Sequence, residues 1–252
     1  MTVQALSEHS STGRTGTSGA APLLRVRNLN AWYGESHILH GINLEVAPGE
    51  CITLLGRNGS GRSTTLKSIM GLVGKRTGEV SLNGTDLTSL SPHRIARMGI
   101  GFCPEERAIF ASLSAEENLL LPPVTGDQPM AVEEIYAMFP NLKERSNSPG
   151  TKLSGGEQQM LAIARILRTG ARLLLLDEIT EGLAPVIVRK LGEVVTELKR
   201  RGFTIVLVEQ NFRFAAPLAD RHYVLEHGEV IATITQEELP SRIDWLHQTL
   251  GV

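Results

Sequence analysis

The sequence of 252 residues contains little cysteine, few aromatic residues and almost no net charge. Its two cysteines, Cys51 and Cys103, lie far apart without the spacing of metal ligands, so we expect reduced, cytoplasmic thiols. A formal net charge of −2 provides no basic surplus for a nucleic-acid surface, and we expect no nucleic-acid partner. No apolar run approaches the roughly 18–20 residues that span a bilayer, so a membrane role would require a partner protein.

The beginning of the chain is rich in Ser, Thr and Gly and lacks the apolar core of a signal peptide. Such a composition buries too little apolar surface to fold, and it predicts a disordered leader over residues 1–22. The chain as a whole is 41% hydrophobic and 21% charged, which is typical of a globular protein. Its length suits one large domain or two small ones.

The rest of the chain alternates between strand and helix patterns. Residues 23–34 and 40–50 alternate apolar and polar side chains, which predicts antiparallel strands. Three short apolar runs, at 50–56, 171–179 and 203–210, indicate strands that are buried on both faces. Helical patterns lie between these runs, and two of them end at Gly170 and Gly202. This alternation predicts an α/β fold with a largely parallel sheet.

The stretch from about residue 106 to 165 departs from this rhythm. Ser114 and Glu117 have the spacing of a capping box at the start of a helix. A second helical pattern over 131–145 is interrupted at Pro140. We therefore predict a helical insertion on the α/β core.

Residues 56–64, GRNGSGRST, have the pattern of a phosphate-binding loop. Gly56, Gly59 and Gly61 permit backbone angles that turn successive N–H groups inward, and the following helix presents its N-terminus to an anion. A glycine-rich turn before a helix is the alternative, but the preceding buried strand favours nucleotide binding. Ser63 is placed to coordinate Mg²⁺ and Thr64 to contact a phosphate. The predicted nucleotide-binding loop comprises Gly56, Arg57, Asn58, Gly59, Ser60, Gly61, Arg62, Ser63 and Thr64.

Two acidic residues follow the apolar run LLLL at 173–176. Asp177 ends a buried strand, so its carboxylate should emerge at the edge of the sheet where ligands bind, and it can hold Mg²⁺. Glu178 could polarise an attacking water as a general base. The alternative is a pair of acids that cap a helix, which the phosphate-binding loop upstream makes less attractive.

The segment KLSGGEQQMLAIARILRTG at 152–170 contains a second glycine-rich helix start. Ser154, Gly155 and Gly156 again create an anion-binding geometry at a helix N-terminus. One nucleotide does not need two such sites, whereas a head-to-tail dimer would place this motif against the nucleotide of the other chain. A capped helix with small residues for packing is the alternative.

In this order and at these spacings, WYG, GRNGSGRST, LSGGEQ and LLLLDE resemble the ATP-binding subunit of an ABC transporter over about residues 23–235. CPEERAIFASLSAEENL, DEITEGLAP and LVEQN further resemble the second ATPase subunit of importers for branched-chain amino acids and their relatives for urea and amides. The resemblance implies a P-loop NTPase fold over 23–252, with an antiparallel β subdomain and a helical subdomain. It also implies ATP and Mg²⁺ as cofactors, and a second ATP-binding subunit in a homo- or heterodimer. The further partners would be a transmembrane permease at the cytoplasmic face of the inner membrane and, indirectly, a periplasmic solute-binding protein.

The resemblance also assigns roles to single residues. Tyr33 would stack on adenine, although a packed tyrosine at a strand end is the alternative. Glu105 stands in place of a glutamine that senses Mg²⁺, and Gln210 in place of a switch histidine. A neutral amide can bond a γ-phosphate but cannot become a cation. The residues that would face the ATP of the second subunit are Ser154, Gly155, Gly156 and Glu157.

Two positions depart from the family pattern. Arg62 replaces the loop lysine, and its planar guanidinium is bulkier than the amine that normally threads the loop. Ile179 replaces a proline that would hold Glu178 extended, although the β preference of isoleucine could maintain the strand. We predict that ATP binding survives, weakened, and that hydrolysis is slowed substantially. The alternatives are an ATP-binding regulatory subunit with little turnover and a soluble ABC ATPase that serves DNA repair or translation.

Overall fold

The computed structural model describes residues 21–251, so the predicted leader, apart from its last two residues, lies outside the described part of the chain. The strands are β1 Leu24–Tyr33, β2 Ser36–Val46, β3 Cys51–Gly56, β4 Lys75–Leu82, β5 Thr85–Asp86, β6 Ile100–Cys103, β7 Leu173–Asp177, β8 Thr204–Val208, β9 Arg221–Glu226 and β10 Glu229–Thr235. The helices are α1 Arg62–Ile69, α2 Pro92–Arg97, α3 Ala115–Leu120, α4 Val132–Met138, α5 Pro140–Glu144, α6 Gly155–Arg168, α7 Pro185–Arg200, α8 Phe212–Ala215 and α9 Leu239–Leu250.

A six-stranded sheet with the order β10-β9-β3-β8-β7-β6 carries the site. Its strands from β9 to β6 are parallel, and only β10 runs antiparallel to its neighbour. The prediction of an α/β fold with a largely parallel sheet is therefore confirmed. Because parallel strands end at the same edge, the loops after β3, β6, β7 and β8 lie together.

The sheet is buried on both faces, which explains the uninterrupted apolar runs in the sequence. Alternate residues of β7 belong to different cores: Leu174 and Leu176 pack on one side, Leu173 and Leu175 on the other. The strands are shorter than the runs that predicted them. β7 ends at Asp177 instead of continuing to residue 179, and β8 ends at Val208.

A second, four-stranded sheet is antiparallel, with the order β2-β1-β4-β5. The β1–β2 pairing matches the prediction from alternating side chains. Strand β2 lies against the nucleotide-binding loop, because a Cβ on Gly61 would meet Leu39 Cδ2 at 2.7 Å. The strands β4, β5, β6, β9 and β10 were not predicted from the sequence.

Helices α3 to α6 fill the connection between β6 and β7. The predicted capping box opens α3, where Ser114 Oγ accepts from Glu117 N at 3.1 Å and Ser114 N donates to Glu117 Oε2 at 2.7 Å. Pro140 separates α4 from α5, as predicted. Gly170 and Gly202 follow α6 and α7 with left-handed φ values of 85° and 78°. The division of the chain into a helical subdomain at about 106–165 stays a prediction.

Candidate nucleotide-binding site

A cavity of about 270 Å³ opens at the edge of the sheet where β3, β6 and β7 end. It brings the phosphate-binding loop together with three acidic residues that are distant in sequence. The lining residues are Asn58, Gly59, Ser60, Gly61, Arg62, Ser63, Thr64, Glu105, Glu178 and Glu181.

The loop between β3 and α1 depends on its glycines in two different ways. Gly59 and Gly61 have φ values of 81° and 100°, which residues with a Cβ rarely adopt. Gly56 was predicted to share this role, but it ends β3 without a positive φ. A Cβ there would lie 2.5 Å from the carbonyl oxygen of Leu225, so close approach of two strands requires glycine.

Ser63 and Asp177 meet at the mouth of this loop. Ser63 Oγ donates to Asp177 Oδ1 at 2.8 Å, joining the first turn of α1 to the end of β7. Burial raises the pKa of the Asp177 carboxyl to about 6, against the lowering effect of its bond to Ser63. Glu105 is an exposed residue that lines the same cavity. Partial burial of its carboxyl raises its pKa, and the nearby carboxylate of Glu181 raises it further. These oxygen donors are of the kind that Mg²⁺ prefers.

Glu178, the predicted general base, lies in a backbone conformation that the sequence did not predict. Its φ is 47°, in the left-handed region, although the apolar run at 171–179 predicted a strand that continues past it. Ile179 is fully buried in a core, so packing fixes its side chain while the backbone turns away from the sheet. The turn directs Glu178 toward the loop instead of along the strand.

Arg62 contacts the acid opposite it. Its Nη2 donates to Glu178 Oε1 at 2.9 Å and to Asn58 Oδ1 at 3.1 Å, and its Nη1 donates to the carbonyl oxygen of Glu209 at 2.9 Å. The Arg62 and Glu178 side chains are only 4% and 13% exposed. A planar fork can satisfy several acceptors at once, whereas an amine offers donors from a single nitrogen.

Glu209 is a buried acid that the sequence analysis did not single out. Its side chain accepts from Thr180 N at 3.0 Å and from Thr180 Oγ1 at 2.8 Å. Burial raises the pKa of its carboxyl to about 7, while the bonds from Thr180 lower it. The sequence does contain a signal for this site, because Glu209 is an acidic residue at the end of the apolar run FTIVLVEQ.

A second cavity, of about 250 Å³, adjoins the first and contains Gln210. Glu178 and Glu181 line both cavities, so Gln210 faces the same acids as the phosphate-binding loop. Glu181 was also missed, because the sequence places it in the loop after β7 without a motif of its own.

Three predicted sites lie apart from the loop cavity. Tyr33 is 46% exposed at the end of β1 and does not line the cavity. Arg57 lines a different cavity, on the side of the loop that faces the end of β9 and the end of α9. At the start of α6, Ser154 and Glu157 bond to each other in a capping box, with Ser154 N donating to Glu157 Oε2 at 2.7 Å.

The residues after Ser154 are small for a packing reason that is visible within one chain. A Cβ on Gly155 would lie 3.2 Å from Arg107 Nη1, and one on Gly156 would lie 2.9 Å from Ile187. The structure therefore supplies a packing reason for these glycines, which is the alternative considered for this motif, and anion binding stays a prediction. The predicted role toward a second subunit stays a prediction.

Comparisons with known proteins all indicate the same family. A family model described as ABC transporter matches residues 39–181. The high-affinity branched-chain amino acid transport ATP-binding protein BraG of Pseudomonas aeruginosa is 40% identical over 212 residues, which is 83% of this chain and 91% of that protein. The probable branched-chain amino acid transport ATP-binding protein LivF of Archaeoglobus fulgidus is also 40% identical, covering 86% and 94%. The lipopolysaccharide export system ATP-binding protein LptB of Acidithiobacillus ferridurans is 32% identical, covering 86% and 92%.

Solved structures agree with these relatives. An ATP-binding subunit of an ABC transporter superposes with a TM-score of 0.76 at 28% identity, covering 91% of this chain and all of that chain. A dimeric ATP-binding cassette in a post-hydrolysis state, bound to ADP and Pi, superposes with a TM-score of 0.75 at 28% identity, covering 84% and 98%. Among residues 21–251, none of the helices has the length and apolar character needed to cross a membrane.

Proposed function

Because this chain belongs to the ABC transporter family, we propose that it is the ATP-hydrolysing subunit of an importer for branched-chain amino acids or similar small polar solutes. The observation that carries the solute class is the 40% identity to two proteins named for branched-chain amino acid transport. Relatives named for lipopolysaccharide export are 31–32% identical, so the direction of transport and the solute are parts of this proposal.

The chain is an ATPase cassette, and the cavity at the end of β3 suits that activity. The loop N–H groups and the N-terminus of α1 would bind the phosphates by charge and by direct hydrogen bonds. Glu178 would accept a proton from, or orient, the attacking water. Gln210 would hydrogen-bond the γ-phosphate from the adjoining cavity without adding a positive charge.

The oxygen atoms of Ser63, Asp177 and Glu105 fit a magnesium ion in their chemistry. Ser63 and Asp177 are already within hydrogen-bonding distance of each other. These residues would hold the ion beside the phosphates, where its positive charge would offset theirs. In the chain itself, Ser63 holds Asp177 in position, and the Asp177 carboxyl loses its proton more readily when a cation is nearby.

The proposed assembly contains two cassettes and a membrane permease. The capped start of α6, with Ser154, Gly155, Gly156 and Glu157, would contact the ATP of the second subunit. The permease would place this chain at the cytoplasmic face of the inner membrane, and a periplasmic solute-binding protein would deliver the solute. A net charge of −2 supports the expectation of no nucleic-acid partner.

Reconstitution tests this proposal. We would insert the chain with its permease into vesicles, add the solute-binding protein, and measure uptake of radiolabelled leucine with and without Mg·ATP. The matched control is the Glu178→Gln variant in the same complex. We expect ATP-dependent accumulation only with the unaltered chain. Absence of leucine uptake, together with ATPase activity stimulated by lipopolysaccharide, would contradict the proposal.

The contact between Arg62 and Glu178 favours a second candidate, a nucleotide-binding regulatory subunit with little turnover. If the chain is such a subunit, the ion pair would persist after ATP binds, and the Glu178 carboxylate would stay bonded to Arg62 instead of contacting water. Tight ATP binding without phosphate release, even in the complete complex with solute-binding protein, would support this candidate over the first.

A further inference from the structure

The backbone that carries Glu178 is held in a conformation that needs support. A φ of 47° is unfavourable for a residue with a side chain, and it persists only where the surroundings fix it. On the preceding side, Glu178 N donates to the carbonyl oxygen of Val208 at 2.9 Å, which continues the pairing of β7 with β8. After Glu178 this pairing ends. Glu181 N donates to the carbonyl oxygen of Glu178 at 3.2 Å, but that bond lies within the turn, so an anchor between the turn and the sheet has to come from another residue.

Glu209 supplies that anchor through Thr180. Both carboxylate oxygens accept from the same residue, Oε1 from Thr180 N and Oε2 from Thr180 Oγ1. The Glu209 residue is 2% exposed and Thr180 is 7% exposed, so water competes little for these bonds. Ile179, between Glu178 and Thr180, is fully buried, so its packing in the core opposes a shift of the turn.

Glu209 is separate from the loop that would bind the phosphates. It lines the cavity that contains Glu178 and Gln210, but not the cavity that contains the loop. Its own carbonyl oxygen, instead of its carboxylate, contacts Arg62. Loss of the carboxylate should therefore act on the Glu178 turn and leave the loop intact.

We propose that Glu209 is a positioning residue for ATP hydrolysis, which holds the Glu178 turn in its left-handed conformation through two hydrogen bonds to Thr180. The inference rests on the proposed function, because it assigns Glu178 as the general base. A general base acts only within hydrogen-bonding reach of its proton, so release of the turn lowers kcat. The affinity for ATP, which depends on the loop, changes little.

Four variants test this role. Glu209→Ala removes both acceptors, and Thr180→Val removes the hydroxyl without changing the shape of the side chain. Glu209→Gln keeps one acceptor for Thr180 N and offers a donor to Thr180 Oγ1, and Thr180→Ser keeps the hydroxyl. The matched control is Thr196→Val, which removes a hydroxyl that bonds to Gly192 on the exposed face of α7.

The readouts are kcat and KM for Mg·ATP from phosphate release, and the thermal unfolding midpoint. For Glu209→Ala and Thr180→Val we expect kcat to fall about 10- to 100-fold, the effect of a misplaced catalytic group, with KM nearly unchanged. Glu209→Gln, Thr180→Ser and Thr196→Val should keep the kcat of the parent. If Glu209→Ala does not fold, Thr180→Val carries the same test.

The parallel series in an Arg62→Lys background separates this inference from the proposed function. The two parents are the unaltered chain and the Arg62→Lys chain. If either parent hydrolyses ATP and both Glu209→Ala and Thr180→Val retain its kcat, the inference is overturned while the function stands. It is also overturned if Glu209→Gln is as slow as Glu209→Ala, because the charge would then matter instead of the hydrogen bonds. If neither parent hydrolyses ATP, both the proposed function and the inference are overturned.

Discussion

Replacing Arg62 by lysine should accelerate ATP hydrolysis, because it frees Glu178. In the present structure the guanidinium bonds to Glu178, to Asn58 and to the carbonyl oxygen of Glu209. An amine at this position cannot span all three acceptors, since its donors diverge from one nitrogen. The Glu178 carboxylate would then be available to water, and the amine to the phosphates.

The magnitude follows from the bond that Glu178 must give up before it can act. A hydrogen bond between charged groups contributes about 1.5–3 kcal/mol. The side chains of Arg62 and Glu178 are 4% and 13% exposed, so solvent screening reduces this value little. Converted at about 1.36 kcal/mol per factor of ten, it corresponds to a kcat that rises roughly 10- to 150-fold in Arg62→Lys.

The assay is phosphate release at saturating Mg·ATP, measured beside ATP binding by a fluorescent analogue. The control is Arg200→Lys, which makes the same chemical change at an exposed pair with Glu197 on α7. We expect Arg200→Lys to match the parent in both measurements. An Arg62→Lys variant that binds ATP but has the same kcat as the parent would refute the reasoning, since Arg62 would then not restrain Glu178.

Three further predictions follow from the same site and core. Glu178→Gln should abolish phosphate release and retain ATP binding, as measured by the same two assays; substantial turnover would exclude Glu178 as the base. The Glu209 carboxyl has a pKa of about 7 in the folded chain against 4.5 as its ordinary value, so the folded chain binds more protons between these values. The free energy of unfolding should therefore fall as pH rises from about 4.5 to about 7, and Glu209→Gln should remove roughly 3 kcal/mol of this loss in denaturant titrations; identical pH profiles for the two chains would contradict it. Cys51 and Cys103 are buried, and burial raises the pKa of each thiol to about 12, so both should resist a thiol reagent until the chain is unfolded by denaturant.

Much of the fold could be predicted because its signals are local. Runs of apolar residues identified β3, β7 and β8, and the positions of Gly170 and Gly202 identified helix ends. The capping box at Ser114 was predictable for the same reason, since its partners are three residues apart. The strands β4, β5, β6, β9 and β10 were missed because their patterns are short or only partly alternating.

The local conformation at Glu178 was predicted incorrectly. The apolar run at 171–179 predicted a strand through Glu178, but the strand ends at Asp177 and Ile179 contributes its side chain to the core after the turn. The reason for glycine at position 56 was also predicted incorrectly, because close approach to Leu225 requires it and a positive φ does not. Its neighbour Leu225 belongs to a strand more than one hundred residues away, which no local pattern reveals.

Sequence patterns were sufficient for the fold class and the family, and they predicted the phosphate-binding loop, because each depends on residues that are close together or in a fixed order. The contacts of Arg62, in contrast, could not be inferred without the structure. The strand order β3-β8-β7 brings Arg62 to Glu178, 116 positions later, and Glu209 to Thr180, 29 positions earlier. Such contacts depend on which strands are neighbours and where each one ends, and these are properties of the packed sheet.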